Sequence, residues 1–272
     1  MSYALRITIL VMSLALISAC AASRNKDLNS TLWIQSSAEH EANSLQTYAA
    51  AEQHIDSALN DRRWTAAIEQ TGDFPSRPVA VVMDLDETVL DNSKYQAQRV
   101  LLGAEWGADS WEEWISLKSA TAVPGSVELI NRLGERGVAV FFVTNRECIP
   151  RSADGPGCPQ EQETIDNLRG IGIHDVGPEQ VLLRNEQPGW TSEKGSRRAY
   201  LADRYRILML FGDDLGDFLP GVRADITPAK RDELVSRHRD KWGTRWFMLS
   251  NPIYGSWLNV LEEPRTQYLV GY

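Results

Sequence analysis

The chain has 272 residues, 43% of them hydrophobic and 24% charged, which is ordinary for one large or two modest globular domains and excludes a wholly disordered chain. Its formal charge of -9 and pI near 5.1 speak against a nucleic-acid polymer as partner, because a phosphate backbone calls for a basic face. A small anionic ligand would instead need local cations.

The first 20 residues, MSYALRITILVMSLALISAC, carry one Arg, an apolar run over residues 7–17, and Ser18 and Ala19 before Cys20. That run is shorter than the about 20 residues needed to span a bilayer, so a cleavable signal peptide over residues 1–19 fits better than a transmembrane helix. The small residues before Cys20 resemble a bacterial lipobox, which implies cleavage there, lipidation of Cys20 and a membrane anchor made by its acyl chains. An ordinary signal peptide followed by an incidental Cys is the alternative. Ala21 is not the Asp that tends to retain Gram-negative lipoproteins at the inner membrane. The expectation is therefore an outer-membrane lipid anchor, with the protein facing the periplasm or the cell surface.

Residues 20–42 are polar and mixed and read as a tether, leaving residues 43–272 as one domain. Residues 43–72 begin Ala-rich without Gly or Pro, which predicts one or two helices. TGDFPSRP breaks that pattern, and VAVVM, residues 79–83, predicts the first strand. Further short apolar runs follow in GVAVFFVTN, QVLLR, RILMLFGDD and RWFMLS, separated by stretches of helix length such as residues 126–137 and 161–170. Buried strands alternating with helices predict an α/β fold with a parallel sheet flanked by helices, its core over residues 78–94 and 124–260. Residues 95–123, with Trp106, Trp111 and Trp114, fall outside the alternation and read as a small, mainly helical cap inserted after the first strand. Ligands of open α/β sheets bind beyond the carboxyl ends of the strands, so such a cap would overhang the site.

The residues after each apolar run carry the chemistry. Asp84 and Asp86 follow the first, Thr144, Asn145 and Arg146 the second, and Asp213, Asp214 and Asp217 the fourth. All would converge on one rim of the sheet. Residues two apart in extended chain share a face, so Asp84 and Asp86 can address one ligand. Carboxylates at that density repel one another and lose hydration, and hard oxygen ligands of this kind suit Mg²⁺.

These residues resemble the haloacid dehalogenase (HAD) superfamily, whose first motif DxDx[TV] is here Asp84 to Thr88. More narrowly, VMDLDETVLDNS with FGDDLGDF, FFVTNR, AVPG and NPIYGSW resembles the class C non-specific acid phosphatases, bacterial lipoproteins of the outer-membrane 5′-nucleotidase type. The resemblance implies a HAD-like Rossmannoid fold and a Mg²⁺-dependent acid phosphatase that hydrolyses phosphomonoesters. By position it makes Asp84 the nucleophile, forming an aspartyl-phosphate, and Asp86 the general acid and base, a role that needs a raised pKa. Thr144 and Asn145 would bind phosphoryl oxygens, and Lys194, in SEKGSR, would pair with both the phosphate and Asp84. Mg²⁺ would be held by Asp84, the Asp86 carbonyl and Asp213, with Asp217 acting through its waters. A homodimer is implied too, with no independent signal in this chain. Two positions depart from the usual GDNLDDF: Asp214 stands where the family has Asn, and Gly216 where it has Asp.

Trp111 or Trp114, with Tyr254, match the aromatics that stack on a nucleotide base in this family, which implies nucleoside 5′-monophosphates, nicotinamide mononucleotide among them, as substrates. The same rings could equally form the cap's own core. Cys148 and Cys158 lie in a Pro/Gly-rich loop and could be bridged in an oxidising compartment, be free thiols, or bind zinc, the last disfavoured by the lack of a nearby His. Three other readings stand beside hydrolysis: phosphotransfer to an alcohol, a binding lipoprotein for nucleotide, haem or a host surface, and the DLDET phosphatases that act on the RNA polymerase tail. The signal peptide and cap speak against the last of these. Asp84, Asp86 and Lys194, all retained, speak against a chain that only binds.

Overall fold

The computed structural model describes residues 27–272. The signal peptide 1–19, the lipidation site Cys20 and the first part of the tether lie outside the described residues. Two helices open the described chain, α1 (Leu28–Ser36) and α2 (Ala38–Asn60), so the tether expected over residues 20–42 is shorter than the sequence suggested. The composition of that stretch is polar, but Thr31 and Ile34 are buried, and Ser37 caps α2 by accepting from the His40 amide at 3.1 Å. Residues 61–78 are turns, and no helix among the described residues is long and apolar enough to cross a membrane.

A five-stranded parallel sheet follows, formed by β1 (Val79–Met83), β4 (Ala139–Glu147), β5 (Val181–Arg184), β6 (Arg206–Gly212) and β7 (Trp246–Met248) in the order β5-β4-β1-β6-β7. Val81 pairs with Val140 on one side and Met209 on the other, which puts β1 at the centre. Both faces of the sheet are covered, hence its unbroken apolar runs: every residue of β6 is buried. The side-chain period of two sends Val81, Met83 and Phe142 into one core with Tyr48 and Ile55 of α2, Leu129 and Leu133 of α5 (Ser126–Glu135), and Leu168 of α6 (Pro159–Gly170). Ala80, Val82 and Phe141 enter the other, with Leu201 of α7 (Gly195–Ala202), Phe218 and Trp246. Buried Arg206 joins α2 to the sheet, donating to the carbonyls of Ala58 at 2.8 Å and Asp61 at 2.9 Å, a cation on the negative end of the helix.

Between β1 and β4 lies the insertion. The two-residue strands β2 (Leu90–Asp91) and β3 (Thr121–Ala122) pair antiparallel, so the chain leaves and re-enters the core at one point. Helices α3 (Ser93–Leu102) and α4 (Ala108–Leu117) fill the excursion, and α1 packs against α3. A disulfide links Cys148 and Cys158 across the loop after β4, with Cα atoms 4.6 Å apart. Of the three readings of these cysteines, the structure shows the bridge.

Candidate active site

At the centre of the sheet the chain order reverses, with β4 on one side of β1 and β6 on the other, and crevices form at such points beyond the strands' carboxyl ends. Asp84 follows β1 there, its amide donating to the Phe211 carbonyl of β6 at 2.9 Å. The next residues turn sharply, with the Leu85 carbonyl accepting from the amides of Val89 and Leu90, both at 2.8 Å. Asp213 follows β6, and Asp217 comes back towards it through a short 3-10 turn. That return requires Gly212, since a Cβ there would collide with the Asp217 carboxyl.

Carboxylate oxygens of Asp84, Asp213 and Asp217 lie within 4.8 Å of one another. Lys194, only 3% exposed at the start of α7, joins two of them: its Nζ donates to Asp84 and, at 2.6 Å, to Asp217. Burial works to lower the Lys194 ammonium, yet Asp217 and Asp84 outweigh it and raise the group above an ordinary lysine. Burial raises Asp213 well above the usual carboxylate range, Asp84 and Asp217 add to the effect, and the 2.7 Å bond from Asn251 Nδ2 opposes it. Burial also raises Asp217, against the pull of Lys194. One lysine therefore leaves three converging carboxyl groups short of positive charge. This all-oxygen donor set fits a hard divalent cation.

Asp86 lies beside this cluster and is held apart from it. Its carboxylate accepts from Arg146 Nη2 at 2.8 Å and Nε at 3.1 Å, from Asn92 Nδ2 at 3.0 Å and from Thr144 Oγ1 at 3.3 Å. Arg146 is 1% exposed, with its Nη1 on Thr164 Oγ1 at 3.1 Å and its guanidinium 5.9 Å from the Trp111 ring. Arg146 and Asn92 received no role from the sequence. An Arg at the end of a buried strand was the available signal.

Thr144, expected on the phosphate, is fully buried and turned to Asp86 and to the Arg146 amide. Asn145 lines the cavity, its Nδ2 on the Ser192 carbonyl at 3.1 Å and its Oδ1 accepting from Arg197 at 2.8 Å. Trp114 is not at the site. It is buried with its Nε1 on Asn92 Oδ1 at 2.8 Å, a polar ring tip finding a partner inside the core. Trp111 and Tyr254 do face the cavity, as do Trp106 and Trp257. Glu87 is buried with φ 63° and accepts from the Tyr254 hydroxyl and from Asn92 at 3.2 Å. Burial, with Asp86 next in effect, raises it well above the ordinary range, while those two donors act against the shift.

The cavity holds about 750 Å³ and opens from the carboxylates towards the cap and the C-terminal segment. That is room for a small organic ligand.

A family model described as HAD superfamily, subfamily IIIB (acid phosphatase) matches residues 9–257. The fold is similar to that of a class C acid phosphatase from Bacillus anthracis with tungstate bound, at a TM-score of 0.75 and 27% identity, covering 92% of this chain and 98% of that one. A second structure of that enzyme matches equally, covering 99% of its chain. Among curated proteins, acid phosphatase 1 of Solanum lycopersicum is 27% identical over 51% of each chain, and the stem 28 kDa glycoprotein of Glycine max 24% identical over 64% of this chain and 58% of its own. The chain thus spans about half the length of the curated relatives it matches.

Proposed function

The chain belongs to the HAD superfamily, subfamily IIIB (acid phosphatase), and from that premise we propose that it is a metal-dependent phosphomonoesterase working through an aspartyl-phosphate on Asp84. One observation carries this reading: Asp84, at the carboxyl end of the central strand, faces an open cavity with Lys194, Asp213 and Asp217 gathered around it.

Lys194 would hold a phosphoryl oxygen and keep the Asp84 carboxylate in line with phosphorus. Asp84 attacks, the phosphorus–oxygen ester bond breaks, and Asp86 gives its proton to the departing alkoxide. In the second half, Asp86 takes a proton from water as that water attacks phosphorus, releasing phosphate and restoring Asp84. Arg146, Asn92 and Thr144 fix Asp86 for both transfers, and the side chain of Asn145 completes the wall of the phosphate pocket. A divalent cation, Mg²⁺ in our reading, would be held by Asp84, Asp213 and Asp217. When bound it supplies charge that shields the nucleophile from the phosphate dianion and stabilises the transferring group.

The cavity-facing rings of Trp111 and Tyr254 support nucleoside 5′-monophosphates as substrates, with a stacked base contributing on the order of 1–3 kcal/mol. The lipobox-like residues before Cys20 support a lipid-anchored protein at the outer membrane, which labelling by radioactive palmitate and membrane fractionation would test. Phosphate release from nucleoside 5′-monophosphates and p-nitrophenyl phosphate, with Mg²⁺ or EDTA, tests the activity. Release that needs metal, with a Tyr254→Ala variant losing more on nucleotides than on the aryl ester, is the expected result. Equal losses would remove the stacking role, and no release from folded, metal-loaded protein would overturn the proposal.

A further inference from the structure

Five cations line the cavity: Arg99, Arg146, Lys194, Arg223 and Arg265. Each of them meets a carboxylate. Arg146 holds Asp86, Lys194 holds Asp84 and Asp217, and Arg99 contacts Gln96 and, at 3.5 Å, Asp27. The remaining two stand on other segments, Arg223 beyond the turn after β6 and Arg265 near the C-terminus.

Arg223 packs closely against Gly216. A Cβ there would fall 2.8 Å from Arg223 Nη1, 3.2 Å from its Cδ and 2.9 Å from Asp214 Oδ1, closer than atoms pack. Both departures from the usual GDNLDDF thus border this arginine: a side chain at 216 would make it shift, and the carboxylate at 214 faces it. Their contact is loose, 3.4 Å from Nη1 to Oδ1. Asp214 has other donors, since Oδ1 also accepts from the Gly216 amide and the Ser256 hydroxyl, both at 2.8 Å, and Oδ2 from the Ser256 amide. A guanidinium offers five N–H groups, and among the described residues Arg223 spends only Nη1 on a side-chain partner, leaving most of them for a ligand. Arg265 is 47% exposed and contacts Glu263 at 3.2 Å on the open surface, a kind of pair that holds weakly. It belongs to a segment beyond residue 257, where the family match ends.

We propose that Arg223 and Arg265 form a second anion subsite, so that the protein prefers phosphomonoesters whose leaving group carries a further phosphate. The inference rests on the phosphomonoesterase reading above. The reacting phosphate occupies the Asp84 and Lys194 end, and the second is held by the two guanidinium groups, whose charge-assisted and bidentate bonds suit phosphate.

The test compares kcat/KM for adenosine 3′,5′-bisphosphate with that for adenosine 5′-monophosphate, using p-nitrophenyl phosphate as reference. Wild type is measured beside Arg223→Gln, Arg265→Gln and Arg265→Lys. A preference for the bisphosphate of about tenfold at low salt is expected, in line with hydrogen bonds to charged groups. It should shrink in both glutamine variants and with added salt, and recover in part in Arg265→Lys. Arg265 is exposed, so its variants keep the test valid even if Arg223→Gln folds poorly. No bisphosphate preference in wild type, or one unchanged in both glutamine variants, would overturn the subsite while p-nitrophenyl phosphate hydrolysis leaves the phosphatase reading standing. Failure to release phosphate from all three substrates would overturn both.

Discussion

Asp86 meets four donor atoms on three side chains, and this crowding separates its task from that of Asp84, two residues away. Asp84 is bonded to the one lysine and faces the other carboxylates, an arrangement that suits the nucleophilic role proposed for it. Asp86→Asn keeps the shape but cannot carry a proton, so kcat on p-nitrophenyl phosphate should fall by about 10²- to 10⁴-fold with KM little changed, as steady-state kinetics will show. That Asp84, Asp213, Asp217 and Lys194 come together was legible in the sequence because their types and spacing match a motif. Arg146 was not, since its role exists only through an approach to Asp86 across 60 residues of chain. Trp111 and Trp114 could not be told apart either: three residues apart on one helix, they share a face, and only the position of Asn92 beneath Trp114 decides which ring turns inward.

Among the elements, α1 and α2 differ most from what the sequence suggested. Polarity made residues 28–42 look like a tether, but helix formation there depends on burial of Thr31 and Ile34, which composition does not reveal. His40, in the first turn of α2, is buried with its ring 5.2 Å from Trp33, and neither ring nitrogen has a hydrogen-bond partner among the described residues. Burial lowers this imidazole below its ordinary value, with Asp91 acting the other way. The unfolded chain therefore takes up the proton first as pH falls. Stability from the neutral ring is complete above the ordinary value of about 6.5 and is lost as pH falls through the lower folded-state value. His40→Leu should flatten the decline in melting temperature between about pH 7 and pH 5, a window in which histidine ordinarily titrates. Some decline will persist from His238, which burial also lowers. An unchanged pH profile in the variant would show that His40 does not couple folding to protons.

At the scale of the whole molecule, five apolar runs were enough to expect a parallel sheet with its chemistry at one rim, but not the strand order, which apolar runs do not encode. The order matters because it sets β1 between β4 and β6 and so brings residues 84, 145 and 213 to one crevice. Gathering three carboxyl groups there works against folding until a cation is bound. Mg²⁺ at about a hundredfold above its dissociation constant should raise the melting temperature by roughly 5 to 10 °C, from the linkage of ligand binding to unfolding in a domain of this size. Asp213→Asn should melt higher than wild type without metal and respond little to Mg²⁺.

Whether Asp84 forms the bond to phosphorus is measured most directly by phosphate release from p-nitrophenyl phosphate by Asp84→Asn beside wild type, both folded and both saturated with Mg²⁺. Wild type should turn over and the variant should show nothing above background, because an amide in that place is no nucleophile. Comparable rates in the two proteins would contradict a nucleophilic Asp84.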